Sequence, residues 1–210
     1  NGYLGKPLVF CGTGGLLPLK INGKKSYEKY TSKGDLIVVS GGRTGKDGIH
    51  GATFSSAHLT ESSPTSAVQI GDPITQKKLL DFIIEARDLG LYSGLTDNGA
   101  GGLSSSVGEM ALFTNGATLY LDKCPLKYTG LKPWEILVSE AQERMTLSVS
   151  KEKIDEFLNL SKKRDVESTV IGEFNDSGYF STYYNDVVVS KIDMDMLHNG
   201  CPKMFLHAEW

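Results

Sequence analysis

The chain has 210 residues, of which 40% are apolar and 22% charged, and a formal net charge of −3. This is the composition of a globular protein of one generous domain, or of one domain and a piece of another. The scattered basic residues form no stripe interleaved with aromatics, which argues against nucleic acid as a partner. No apolar run reaches the length of a membrane span and no secretory leader opens the chain, so neither membrane nor export is expected.

The three cysteines, Cys11, Cys124 and Cys201, are an odd number without CxxC spacing, which fits reduced thiols and the cytoplasm. His198, Cys201 and His207 read as surface residues near one chain end rather than as a metal cluster. The first residue is Asn1 rather than Met, and the expectation is an excerpt of a longer or processed protein.

In chain order, Leu8, Val9 and Phe10 predict a short strand that runs into glycines at 12, 14 and 15. Residues 18–34 are lysine-rich, with Gly23 and Gly34 as breakers, and read as a linker or surface excursion. Leu36, Ile37, Val38 and Val39 predict a buried strand that delivers the chain into residues 41–56. That segment holds five glycines beside Arg43, Lys46, Asp47 and His50. Bare backbone can make close approaches there, and the cations and hydroxyls suit a polar, phosphorylated ligand.

Asp72 and Pro73 open a helix, with Leu79, Phe82, Ile83 and Ala86 on one face and Gly90 placed to stop it. A second glycine cluster, residues 96–106, opens another helix carrying Leu103, Val107, Met110 and Ala111. Strands are predicted at 117–121 and 145–149, and a helix at Ile154, Phe157 and Leu158 capped by Ser150. Residues 168–171 and 179–183 bracket Asn175, Asp176, Ser177 and Gly178, a hairpin signal, and Val187 to Val189 add a strand. Hairpin and crossover helices together imply an α/β fold, a mixed β-sheet flanked by helices.

Two familiar nucleotide motifs fail here. Only three residues separate Gly41 from Gly45, and Asp47 stands where a P-loop needs Ser or Thr. Gly99 and Gly101 lack the third glycine of a dinucleotide fingerprint, because position 104 is Ser104.

What remains is the helix start at Gly101, Gly102, Leu103 and Ser104, whose amides and dipole suit an anion, most naturally a phosphate. A tight strand-to-helix turn with glycines needed for packing is a reading of equal weight. Asp97 is either a magnesium ligand beside that phosphate or a turn residue bonded to its own backbone, and the residues alone favour the turn. Taken alone, residues 139–144 and Gln69 read as surface polarity and a satisfied structural amide.

Together, residues 41–56, 68–73, 96–106 and 139–145 resemble phosphoribosylformylglycinamidine synthase, in order and over nearly the whole chain. The run of residues 43–52 is the most specific part. Aminoimidazole ribonucleotide (AIR) synthetase, selenophosphate synthetase, thiamine-monophosphate kinase and a hydrogenase maturation protein belong to the same wider superfamily.

The resemblance implies the C-terminal α/β domain of the first synthetase half. Residues 1–18 would end a preceding N-terminal domain, and residues 19–210 would form the C-terminal domain. It implies conversion of formylglycinamide ribonucleotide, ATP and glutamine-derived ammonia to the amidine, ADP and phosphate, with an N-terminal synthetase domain and a glutaminase as partners. Gln69, Glu140, Ala141 and Gln142 would bind the ribonucleotide, with Ala141 standing where relatives carry Ser. Arg43 and His50 join them as substrate-binding candidates from the glycine-rich loop. Gly101 to Ser104 would hold phosphate, and Asp97 would bind magnesium.

No catalytic residue is expected within this chain, which should therefore be inactive alone. The alternatives are another ATP-dependent member of the superfamily and a non-catalytic binding module on the same fold.

Overall fold

The computed structural model describes residue 12, residues 14–50, residues 71–207 and residue 209, with the Gln142 side chain left out. The strand expected at residues 8–10 and Gln69 lie outside the described residues.

Seven strands form one sheet, in the order β4-β6-β3-β7-β5-β8-β9. They are β3 (Leu36–Gly41), β4 (Gly94–Asn98), β5 (Ala117–Tyr120), β6 (Ala141–Val149), β7 (Ser168–Phe174), β8 (Tyr179–Tyr184) and β9 (Val187–Asp193). Among the described strands of this sheet β5 and β8 pair in parallel and the other neighbours are antiparallel, so the sheet is mixed, as the sequence implied. Within residues 18–34, β1 (Lys20–Ile21) and β2 (Lys24–Lys25) form a small hairpin around Asn22 and Gly23, both at positive φ.

The sheet is covered on both faces because its interior strand β3 is apolar on both. In β3, Ile37 and Val39 pack into one core with Leu103, Val107 and Met110 of α2 (Gly102–Ala111). Val38 faces the other core, built on α1 (Pro73–Asp88) and α4 (Ile154–Lys163). There Phe82 of α1 meets Phe157 of α4 edge-on, with ring centres 5.0 Å apart. Each such aromatic or branched side chain, wholly buried, contributes about 1.5–3 kcal/mol. Among the described residues there are also two shorter α-helices, α3 (Pro133–Val138) and α5 (Met194–Asn199).

The start and end of α1 follow the sequence. Asp72 accepts from the amides of Ile74 and Thr75 at 3.0 and 3.1 Å, and Gly90 beyond the end has a φ of +64°. For α4 the cap is Lys153, not Ser150, and it makes no side-chain cap bond.

The hairpin expected between residues 168 and 183 does not form, because β5 lies between β7 and β8. Residues 175–178 close over Gly116 instead. The Asn175 amide donates to the Gly116 carbonyl at 3.0 Å, and the Gly178 amide to that of Asn115 at 2.8 Å. The Asn175 side chain also donates to Thr118 of β5, at 2.9 Å. The true hairpin joins β8 to β9 through Asn185 and Asp186, both left-handed. No helix among the described residues is long and apolar enough to cross a membrane.

Candidate functional site

Three glycine-rich or polar segments converge where β3 and β4 end and β6 begins. The first leaves β3 at Gly41 and runs to residues 125–128. The Thr44 amide donates to the Pro125 carbonyl, and the Lys127 amide to the Thr44 carbonyl, each at 2.8 Å. Lys127 pairs with Asp47 at 2.8 Å, Lys46 pairs with Glu135 at 3.1 Å, and the Lys46 amide donates to the Tyr128 hydroxyl at 2.9 Å. Lys46 and Asp47 thus hold the loop in shape. The Lys132 amide and then Lys46 hold the Glu135 carboxyl below the usual carboxylate range.

The second segment links β4 to α2. Asp97 is exposed and accepts from the Gly99 amide at 2.8 Å, a turn around its own backbone. Asn98 beside it is wholly buried. Its side-chain oxygen accepts from the hydroxyls of Ser106 at 2.8 Å and Thr146 at 3.0 Å. Gly101 has a φ of +80° and Gly102 of +54°, and a Cβ on Gly102 would collide with the Ser139 carbonyl.

The third segment is residues 139–144. Half-buried Glu140 is the joint between the other two. Its amide donates to the Asp47 carbonyl at 2.8 Å, and its carboxylate accepts from the Gly101 amide at 3.2 Å. A side chain on Gly48 would come within 2.6 Å of Glu140, so that glycine permits the close approach.

The structure therefore brings together Glu140, Ala141 and Gly101, with the turn at residues 47–50 alongside. Ala141 is buried and pairs with Asn98. Gly102 and Leu103 are buried, and the Gly102 amide donates to the Gly99 carbonyl at 2.8 Å. Ser104 turns its hydroxyl back to the Gly101 carbonyl, at 2.6 Å. A phosphate at this helix start would take the Gly101 amide from Glu140. Exposed His50 sits at the end of the turn 47–50.

Arg43 does not join this group. It pairs with Glu167 at 2.8 Å and lines a separate cleft of about 200 Å³ with Thr75 and Lys78 of α1.

Asp97 borders an open cleft of about 420 Å³ with Lys29, Thr96, Ser105 and Glu109. Lys29 reaches Thr96 at 2.6 Å and Glu109 at 3.2 Å. No cluster of three His, Cys, Asp or Glu suited to a metal is found among the described residues. These residues alone do not make a magnesium site, since Asp97 brings one carboxylate and that carboxylate already serves its own turn.

Sequence reasoning missed Arg144. It is wholly buried, and it donates to the Ser139 carbonyl at 2.8 Å and to the Thr44 hydroxyl. An arginine flanked by the strand residues Met145 and Thr146 was the available signal, since arginine is seldom wholly buried.

The AIR synthase related protein C-terminal domain model matches residues 32–185. The phosphoribosylformylglycinamidine synthase subunit PurL of Methanopyrus kandleri is 41% identical over 182 residues, which are 84% of this chain and 24% of that protein. A Staphylococcus epidermidis PurL is 40% identical over 212 residues, 99% of this chain and 28% of that protein. The chain thus spans about a quarter of the length of these curated relatives.

Among solved structures, Thermotoga maritima PurL complexed with FGAR superposes with a TM-score of 0.76 at 35% identity, covering 86% of this chain and 30% of that one. The same protein complexed with ATP gives 0.70 at 32% identity, covering 84% and 27%. Escherichia coli HypE, a hydrogenase maturation protein, shares the fold, with a TM-score of 0.54 at 21% identity over 78% of this chain and 50% of that one. With nearly three quarters of its length matched by the family model, the chain belongs to the AIR synthase related proteins and carries their C-terminal domain.

Proposed function

We propose that this chain is the ribonucleotide-binding part of a phosphoribosylformylglycinamidine synthase, a cytoplasmic enzyme of purine biosynthesis. In the whole protein, ATP phosphorylates the formamide oxygen of formylglycinamide ribonucleotide to give an iminophosphate and ADP. Glutamine-derived ammonia then adds to the imidate carbon and phosphate leaves, giving formylglycinamidine ribonucleotide. The supporting observation is the meeting of Glu140 with the Gly101 helix start, in a chain that is 35% identical to a protein solved with FGAR.

In this reading Gln69, Glu140, Ala141 and Gln142 orient the ribonucleotide. Its phosphate takes the Gly101 to Ser104 start and His50 flanks the loop side, while Arg43, paired with Glu167, stands apart. Ala141 is buried and brings no hydroxyl, so any contact there is made by backbone. These residues position rather than transfer protons: Gln69 and Gln142 do not titrate, and the Glu140 carboxylate already serves an amide.

Asp97 would help to hold a magnesium ion only together with ATP phosphates and carboxylates from beyond these residues, and the ion would offset phosphate charge there. Residues 1–18 end a preceding domain and residues 19–210 form the C-terminal domain. Catalytic groups, the N-terminal synthetase domain and the glutaminase lie in the remaining length or in separate subunits, so these 210 residues alone do not turn over substrate.

The test is phosphate release by the whole protein with ATP, magnesium and ammonium. It should depend on formylglycinamide ribonucleotide, and Gln69→Ala should mainly raise the KM for that ribonucleotide. Release that ignores the ribonucleotide, or ribonucleotide-dependent release by the 210-residue chain alone, would overturn the corresponding part of the reading.

A further inference from the structure

We infer that Arg144 is a positioning residue that holds the three site segments in register with one another. Its geometry stands independently; its consequence for substrate rests on the ribonucleotide-binding reading above.

Arg144 is wholly buried, and no carboxylate pairs with it among the described residues. Burial pulls its guanidinium below the ordinary arginine range. A buried cation among neutral partners is unfavourable unless its hydrogen bonds are well made. Among the described residues its Nε has no partner, and the bonds it does make tie distant parts of the chain together. One arm of the guanidinium donates to the Thr44 hydroxyl on the loop after β3, and another donates to the Ser139 carbonyl, next to Glu140, at 2.8 Å. The Arg144 carbonyl accepts from the Asn98 side chain at 3.3 Å, beside the Asp97 turn. One residue thus touches all three segments.

The strand pairing explains how it does so. On the β4 side, Asp97 pairs with Met145 but Asn98 pairs with Ala141, so residues 142–144 have no partner there. Arg144 stays paired in regular register with Gly41 on the β3 side, so strand alternation puts its side chain on the face of Thr146, and the missing β4 partner leaves room for the Asn98 side chain to reach its carbonyl. A planar fork suits two divergent acceptors, and lysine has no such fork. The alternative is that Arg144 merely fastens β6 to β3. That role would affect the sheet and leave the mutual placement of the three loops alone.

The test uses the whole protein and the variants Arg144→Lys, Thr44→Val and Thr44→Ser. Without substrate, Arg144→Lys should raise amide hydrogen exchange by about tenfold at residues 44–48, 98–101 and 139–141 together, the loss expected when a hydrogen bond to a charged group goes. Exchange at residues 37–39 and 147–149 should stay as in the wild type. The KM for formylglycinamide ribonucleotide should rise by about the same factor, with kcat and the KM for ATP changed less.

Exchange that rises only at residues 139–141, or equally in the strands, would overturn the inference. So would a ribonucleotide KM within about twofold of wild type in a variant whose three loops have loosened, by the same conversion of binding energy to affinity. If Arg144→Lys fails to fold, Thr44→Val carries the test. It should loosen residues 44–48 and 139–141 together and raise that KM, with Thr44→Ser restoring both; loosening of residues 44–48 alone would refute the link. A wild type with no ribonucleotide-dependent turnover would refute the function reading instead, and hydrogen exchange alone would then decide the role of Arg144.

Discussion

The starts of α1 and α2 solve one problem in opposite ways. Both must satisfy amides that have no partner inside the helix. The start of α1 is local: Asp72 accepts from two amides of the next turn, and Pro73 removes a donor. The start of α2 has no cap of its own, because Gly101 brings no side chain, and its amide donates to Glu140, 39 residues further on. A self-capped start fixes only its own helix. A start with a borrowed cap is a joint between helix and strand, so a ligand that competes for the amide acts on both. On the proposed reading, this difference favours the second start over the first as the place for substrate.

The largest effect is expected from breaking that joint. Gly102→Ala forces a side chain into a left-handed backbone and against the Ser139 carbonyl. Strain and overpacking together should cost about 3 kcal/mol or more in urea unfolding. A loss below about 1 kcal/mol would mean that the Ser139 segment yields freely, and the joint would be loose.

Glu140→Ala should come next, at about 1–2 kcal/mol for an amide left without its acceptor. Glu140→Gln keeps an oxygen there and should recover most of that loss. Equal losses in both variants would show that the charge matters and the bond to Gly101 does not. Asp72→Ala should cost about 1 kcal/mol, as an ordinary cap does. In the whole protein it should leave the ribonucleotide KM unchanged, and a raised KM would remove the contrast between the two starts.

The same contrast explains what could be read from the sequence. The start of α1 was legible in full, because cap, proline and apolar spacing all lie within one helix. The position of α2 was legible from Leu103, Val107, Met110 and Ala111, all of which are buried. Its cap was not, since nothing in residues 96–106 points to Glu140. Asp97 illustrates the limit from the other side: the turn that the residues favoured is the one the structure contains. The 168–183 hairpin failed for a related reason. Its turn residues are turn-forming, but their partners, Asn115 and Gly116, lie about sixty residues earlier, and β5 fills the gap. Arg144 stayed hidden because its role depends on bonds to Thr44 and Asn98, which are a hundred and 46 residues away in the chain. Of the site segments, the glycine-rich ones stood out by composition. Their mutual placement did not, because it depends on contacts far apart in the chain.

The smallest effect separates the two faces of the sheet by pH. Cys124 lies in the core on the α2 face, where burial pushes its thiol up to about 12, partly offset by Arg144. Tyr92 packs against the core on the α1 face, and burial raises its phenol to about 12 as well. In each case the unfolded chain releases its proton first. The stability each group contributes is therefore complete below its unfolded pKa and is lost as pH rises toward its folded value. That loss begins near pH 9.0 for the thiol and near pH 10.0 for the phenol, so the α2 face should feel alkali first. At pH 9 the thiol is half ionised in the unfolded chain only, which lowers the unfolding free energy by about 0.4 kcal/mol relative to pH 7. Urea unfolding at a series of pH values should show this decline in the wild type. Cys124→Ala lowers stability at every pH by leaving a small gap, but it should flatten the slope between pH 7 and 9. A slope unchanged by Cys124→Ala would assign the alkaline loss to another group and remove the distinction between the two faces.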